Sequence, residues 1–346
     1  MNMIHKYIDL MISGIIILAI IMLVLFLYLV YKRIVQNNQL KRKNVYLKER
    51  LAEWDAYFRS EIALHDGMIP KNDAEIQSVE SIFSTYINNF SDVEIKEKIQ
   101  IFSCQHLEHY YKKLLQSKKW SIRINALNRV VDFQMGCLLD ECKKMGQQKL
   151  SHEEFFLLLL IYSRLDFNHF LKVIQSTEEI LSENEYKILL IELDSEGLKQ
   201  VLNRFNEWNI FFQYALITVL GIKRDVSELS FLEERIMDDD PEIRIRALKA
   251  INEIGAISAL EKYLPFVDSS IWEERLMVAK IFRNVAFERV LLSLKKLIHD
   301  ESWWVRSEAS KTLNQSRRGQ VVLEEIIENS TDLFAMDMAK EYIKRG

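Results

Sequence analysis

Three groups of residues in this chain have types and spacings that bear on chemistry. The first is His106-Leu107-Glu108-His109. Two imidazoles three residues apart can share a helical face, as zinc ligands do. A zincin needs H-E-x-x-H and a further ligand, and the chain shows neither, so these read as surface histidines. The second group is Cys104, Cys137 and Cys142. Their number is odd and they form no C-x-x-C pair, so free thiols in a reducing compartment are expected. The third is Arg123, Arg244, Arg275 and Arg306, the last three 31 residues apart. Aligned guanidinium groups can hold phosphate or acidic peptide. Glu153 and Glu154 follow His152 where a helix is expected to open, and there they complement its dipole. No P-loop, dinucleotide fingerprint or nucleophile elbow occurs. The expectation is a protein that is not an enzyme, with no catalytic residues, no metal site and no cofactor.

The arginines belong to a repeat. PEIRIRALKAI from Pro241, WEERLMVAKIF from Trp272 and WWVRSEASKTL from Trp303 superpose on Arg244, Arg275 and Arg306. Three residues later stand Ala247, Val278 and Ala309, and seven later Ile251, Phe282 and Leu313. That spacing places them on one helical face. Second helices are expected at 256–264 and 289–298, with acidic turns at Asp238, Asp268 and Asp300. WSIRINALNRV from Trp120 and WNIFFQYALITV from Trp208 fit the same frame less closely. A helix pair every 31 residues is the signature of an α-solenoid. The expected fold is therefore all-α.

These segments resemble short bacterial HEAT repeats, in the Asp-to-Arg spacing, the small residue after the Arg and the pair length. The resemblance implies a stack of antiparallel helix pairs that serves as a scaffold. It also implies a structural role for Arg123, Arg244, Arg275 and Arg306, each bridging to an acidic loop residue of a neighbouring unit. Trp120, Trp272 and Trp303, three residues before the Arg, are expected to pack between repeats. Trp304, off that register, is the leading candidate for contact with a partner, followed by Trp303 and Trp272. The layout is also similar to that of membrane-anchored HEAT proteins that accompany glycosyltransferases of envelope polysaccharide.

Composition agrees with helices. Only 3 Pro and 9 Gly occur in 346 residues, too few for the turns of an all-β protein. Leu10 to Tyr31 is an uncharged run of 22 residues. As a helix it spans about 33 Å, enough for a hydrocarbon core of about 30 Å. Lys32, Arg33, Lys41, Arg42 and Lys43 follow it, which favours a cytoplasmic C-terminal side and an N-terminus outside. They could also meet anionic headgroups. The expected layout is a short extracytoplasmic N-terminus (1–9), a transmembrane helix (10–31), a basic juxtamembrane helix (32–64), a linker (65–75) and a HEAT-like domain (76–346). The repeats are clearest over 238–314.

Eight of the 46 Lys and Arg lie in the first 50 residues, which leaves 38 against 48 Asp and Glu in the rest. A net charge of −10 there disfavours nucleic acid. The expectation is a single-pass cell-membrane scaffold that binds protein partners, such as a membrane enzyme or complex making surface polysaccharide. The alternative is an enzyme or small-molecule sensor with a pocket in the degenerate region 132–205.

Overall fold

The structure is a computed structural model that describes residues 2–90, 92–177 and 181–345. It is all-helical, with 80% helix and no strand among the described residues. The chain divides into two compact units, 1–158 and 159–346.

The first unit begins with α1 (Asn2–Phe58), a single helix of 57 residues. No Pro or Gly interrupts it after Gly14. At 1.5 Å per residue it is about 85 Å long. Its apolar part is long enough to cross a membrane; the best 18-residue stretch has a mean hydropathy of 2.3 and none of it is buried. There follow α2 (Asp73–Asn89), α3 (Val93–Phe102), α4 (Glu108–Leu115), α5 (Trp120–Asp132), α6 (Leu139–Gly146) and α7 (His152–Leu165), the last of which contains the division between the units. Six consecutive α7 residues, Leu157 to Tyr162, are buried.

The far end of α1 is part of the first unit's core. Trp54 and Phe58, one turn apart, are both buried, as is Tyr46 two turns before Trp54. The Trp54 ring meets Phe83 at 5.1 Å and Phe102 at 5.0 Å, edge to face, and Phe133 lies 5.5 Å beyond Phe83. The Trp54 indole donates to the Tyr46 hydroxyl at 3.2 Å, and that hydroxyl donates to the Met68 carbonyl at 2.5 Å. Burial pushes the Tyr46 phenol up to about 12, against the bond from Trp54, which lowers it. Lys98 closes the C-terminus of α1 by donating to the Tyr57 and Phe58 carbonyls, where a cation suits the helix dipole.

This arrangement changes the expected linker. Residues 65–75 fold back on α1: Asp66–Met68 forms a 3-10 turn, Met68 is fully buried, and α2 already begins at Asp73. The apolar residues on this part of α1 divide between core and surface. Trp54 and Phe58 are buried, whereas Leu40 and Leu51 stay exposed.

The cysteines also depart from expectation. Cys104 and Cys137 form a disulfide, with Cα atoms 5.7 Å apart. It ties the π-helical turn Ser103–Leu107 to the 3-10 turn Gly136–Leu138. Cys142 stands outside the bridge; it is buried, and burial pushes its thiol up to about 12. A separation of 33 residues carries no spacing signature from which the pairing could be read.

The second unit continues with α8 (Phe167–Ser176), α9 (Glu183–Ile191), α10 (Ser195–Leu202), α11 (Ile210–Lys223), α12 (Leu229–Arg235), α13 (Pro241–Ile254), α14 (Trp272–Ile281), α15 (Phe287–Leu297), α16 (Trp303–Asn314), α17 (Arg317–Asn329) and α18 (Leu333–Arg345). Helices α9, α11, α13, α14, α16 and α18 each pack on the next. The expected helix at 256–264 is replaced by 3-10 turns at Leu260–Lys262 and Leu264–Asp268. Gly255 turns left-handed at φ +77° to end α13, and Pro265 has no N–H to continue a helix. Buried Glu233 holds this segment, accepting from the Ser258 N–H and Tyr263 hydroxyl at 2.8 Å and from Lys262 at 2.5 Å. Burial pushes this carboxyl up, but Lys262, Ser258 and Tyr263 outweigh it and hold it at about 2. Packing is close between α11 and α13: a Cβ on Gly221 would lie 2.9 Å from the Ala250 Cα.

If the end of α1 is core, Trp54→Ala should lower the stability of the first unit by about 3–5 kcal/mol. Chemical denaturation of the full chain in detergent micelles tests this. A loss below about 1 kcal/mol would show that α1 merely lies against the unit.

Candidate protein-binding surface

The ladder arginines are fixed by two recurring contacts. Each opens a helix whose preceding loop exposes carbonyl groups. Arg123, Arg244, Arg275 and Arg306 each donate through Nη1 to the carbonyl six residues earlier, at Ser117 (2.9 Å), Asp238 (2.9 Å), Ser269 (2.7 Å) and Asp300 (2.7 Å). Three also donate through Nε to a carboxylate one unit later: Arg123 to Glu154 at 2.6 Å, Arg244 to Glu274 at 2.7 Å, and Arg275 to Asp300 at 2.5 Å. The first rung lies within the first unit and the others within the second.

The rungs are largely removed from water. Glu154, Glu274 and Arg275 are buried. Burial pushes Glu154 up, but its bonds from Arg123 and Ser151 win and lower it. The hydrogen bond to Asp300 leads the causes that raise Arg275. The acidic partners are only partly those expected. Asp300 bonds to Arg275, 25 residues earlier. Asp238 instead faces Arg235 at 3.5 Å, and Asp268 pairs with Lys296. Glu154 and Glu274 take the remaining rungs. Their signal was a Glu 31 and 30 residues after the arginine.

The tryptophans lie nearer the surface than a packing role requires. Trp120, Trp272, Trp303 and Trp304 are 48%, 37%, 48% and 59% exposed. Trp120 alone shows a bond across a repeat length, its indole donating to the Ser151 hydroxyl at 2.9 Å. Trp303 and Trp304 stand edge to face at 4.8 Å. Leu333 and Phe334 at the start of α18 are exposed as well. These residues give the second unit an apolar aromatic surface at its C-terminal end.

The basic residues after the apolar run differ among themselves. Lys32, Arg33, Lys41 and Arg42 are exposed on α1. Lys43 is half-buried and donates to Ser81 at 2.8 Å, joining α2 to α1.

Two concavities bear on ligand binding. His106, Glu108 and His109 are exposed and line a cleft of about 550 Å³ with Lys112 and Lys113. Among the described residues no group of three His, Cys, Asp or Glu could hold a metal ion. A larger groove, about 900 Å³, runs along α9, α11 and α13. Its central Arg246 donates to Glu183 at 2.8 and 3.0 Å and to Glu242 at 2.6 Å, and lies 4.7 Å from the Tyr214 ring. Its strongest cation is thus already neutralised by its own walls.

The ladder predicts unequal costs for its members. Arg275→Met strands the buried Asp300 carboxylate and should cost about 3–5 kcal/mol. Arg306→Met strands no carboxylate and should cost less than half as much. Denaturant unfolding of both variants checks this, and equal losses would contradict it. No protein-family model matches the chain, and no curated protein matches it.

Proposed function

We propose that this chain is a single-pass membrane scaffold. In this reading α1 anchors an α-solenoid of HEAT-like helix pairs at the cytoplasmic face, where the array holds a protein partner. The observation that carries it is the arginine–carboxylate ladder, repeated at about 30 residues, ending beside an exposed aromatic surface. Such stacking suits extended binding surfaces. Exposed adjacent tryptophans suit protein contact more than any other common role.

The anchor supports the same reading. Only 14 helical residues lie between Tyr31 and buried Tyr46. They would hold the first unit about 22 Å beyond the apolar run on a stiff stalk. Confinement at that height raises the effective concentration of the array near membrane partners. The exposed Lys32, Arg33, Lys41 and Arg42 favour the cytoplasmic side and meet the headgroup region of that leaflet. A membrane enzyme or complex is the fitting partner, and the likeness in layout makes a glycosyltransferase of surface polysaccharide the first candidate. The enzyme or sensor alternative needs buried ionisable groups converging on a pocket within 132–205. In that region, among the described residues, the buried carboxylate is Glu154, and Arg123 and Ser151 occupy it.

Crosslinking of the tagged full chain in its native cell, with mass spectrometry of what co-purifies, tests the scaffold. One membrane enzyme should be enriched, and Trp304→Ala should reduce its recovery severalfold. Enrichment no greater than with an unrelated single-pass protein would remove the proposal.

A further inference from the structure

The last arginine of the ladder makes one of its two contacts and lacks the other. Arg306 donates through Nη1 to the Asp300 carbonyl at 2.7 Å and the Glu301 carbonyl at 3.0 Å, as its counterparts do. Its Nε is buried and meets no acceptor. The side chain as a whole is 7% exposed. A charged N–H taken from water without an acceptor is costly, and such groups are exceptions that call for a missing partner.

The chain's own carboxylates do not fill the place. Glu154 and Glu274 stand 31 and 30 residues after their arginines; the matching positions after Arg306 hold Asp337 and Met336. The Asp337 side chain is 80% exposed and faces Lys340 at 4.0 Å. Asp300 stands 25 residues after Arg275, where the matching position after Arg306 is Thr331; the neighbouring Asp332 is taken by His299 at 2.9 Å and by the Phe334 and Ala335 N–H groups. What covers Arg306 is an aromatic ring: Phe334 lies 5.1 Å from the guanidinium carbon. Phe334 is itself 70% exposed, so solvent leaves it room to move. Trp303 and Trp304 precede Arg306 on the same helix by three and two residues, both exposed.

We propose that Arg306 is the recognition point for a carboxylate side chain of a partner protein. Phe334 moves aside to admit it, and apolar residues flanking the carboxylate pack on Trp303, Trp304 and Leu333. The inference rests on the scaffold reading and names the chemistry of its partner. Charge complementarity selects the occupant: a desolvated guanidinium pairs with a carboxylate in the geometry already made at Arg123, Arg244 and Arg275. The apolar rim selects what stands beside that carboxylate.

The test uses the full chain in detergent micelles and two peptides, acetyl-Ala-Leu-Glu-Phe-Ala-amide and its Gln counterpart, titrated calorimetrically. The Glu peptide should bind roughly tenfold more tightly than the Gln peptide, the size of one charge-assisted hydrogen bond. Phe334→Ala leaves Arg306 intact and should tighten the Glu peptide severalfold. Arg306→Gln, with its helicity checked by circular dichroism, should bring the two peptides to equal affinity. Equal affinities on both the wild-type protein and Phe334→Ala, or no binding to either, would overturn the proposal. So would a Glu preference that survives Arg306→Gln. Recovery of a native partner that Trp304→Ala weakens and Arg306→Gln leaves unchanged would also overturn it, while the scaffold itself would stand. Enrichment of no partner by the wild-type chain would remove the scaffold instead.

Discussion

An arginine buried between helices must find acceptors for its five N–H groups, and much of this chain is arranged around that requirement. The loop before each ladder helix supplies carbonyl groups six residues upstream. The following unit supplies a carboxylate, and the guanidinium joins the two. Removing one partner of such a pair costs more than the pair itself contributes, because the other charge stays buried. The rungs therefore fix which neighbour each helix accepts as much as they add stability. Small residues at the crossings complete the constraint, since Gly221 and Ala250 let α11 and α13 approach within contact of their backbones.

The second constraint is the unbroken length of α1. One helix carries the exposed apolar run and, at its other end, the aromatic residues around which the first unit packs. The apolar run and part of the first unit's core thus lie on one helix. The chain from Arg59 to Asn72 folds back along that helix, bonded at Met68 by the Tyr46 hydroxyl, which the Trp54 indole holds in turn. A change near residue 54 would therefore affect folding, whereas a change near residue 34 would affect only the exposed stretch.

Much of this was legible because the signals are local. A 22-residue uncharged run and arginines at a fixed interval can be seen without knowing what they touch. The starts of α5, α13, α14 and α16 coincide with the repeat frames for the same reason. What was not legible depends on tertiary partners. Leu47, Trp54 and Phe58 signal an apolar face, but only the fold assigns Phe83 and Phe102 to cover two of them. The segment 256–264 has helical spacing, yet Pro265 and the demand of Glu233 for donors turn it into 3-10 turns. The Cys104–Cys137 bridge is set by the meeting of two turns. The open rung at Arg306 appears only when all four arginines are compared in three dimensions.

The bridge and the charge pattern point in different directions, which makes orientation the decisive quantity. Basic residues after the apolar run favour a cytoplasmic C-terminal side, whereas disulfides persist in oxidising compartments. Cys137 is exposed, so in the cytoplasm its bridge is open to thiol exchange. The most direct measurement is labelling of Cys137 in the Cys104→Ser full chain by a membrane-impermeant maleimide, before and after the cells are opened. A cytoplasmic scaffold predicts no labelling in intact cells and ready labelling once they are opened. Labelling in intact cells would place both units outside and contradict a scaffold at the inner face.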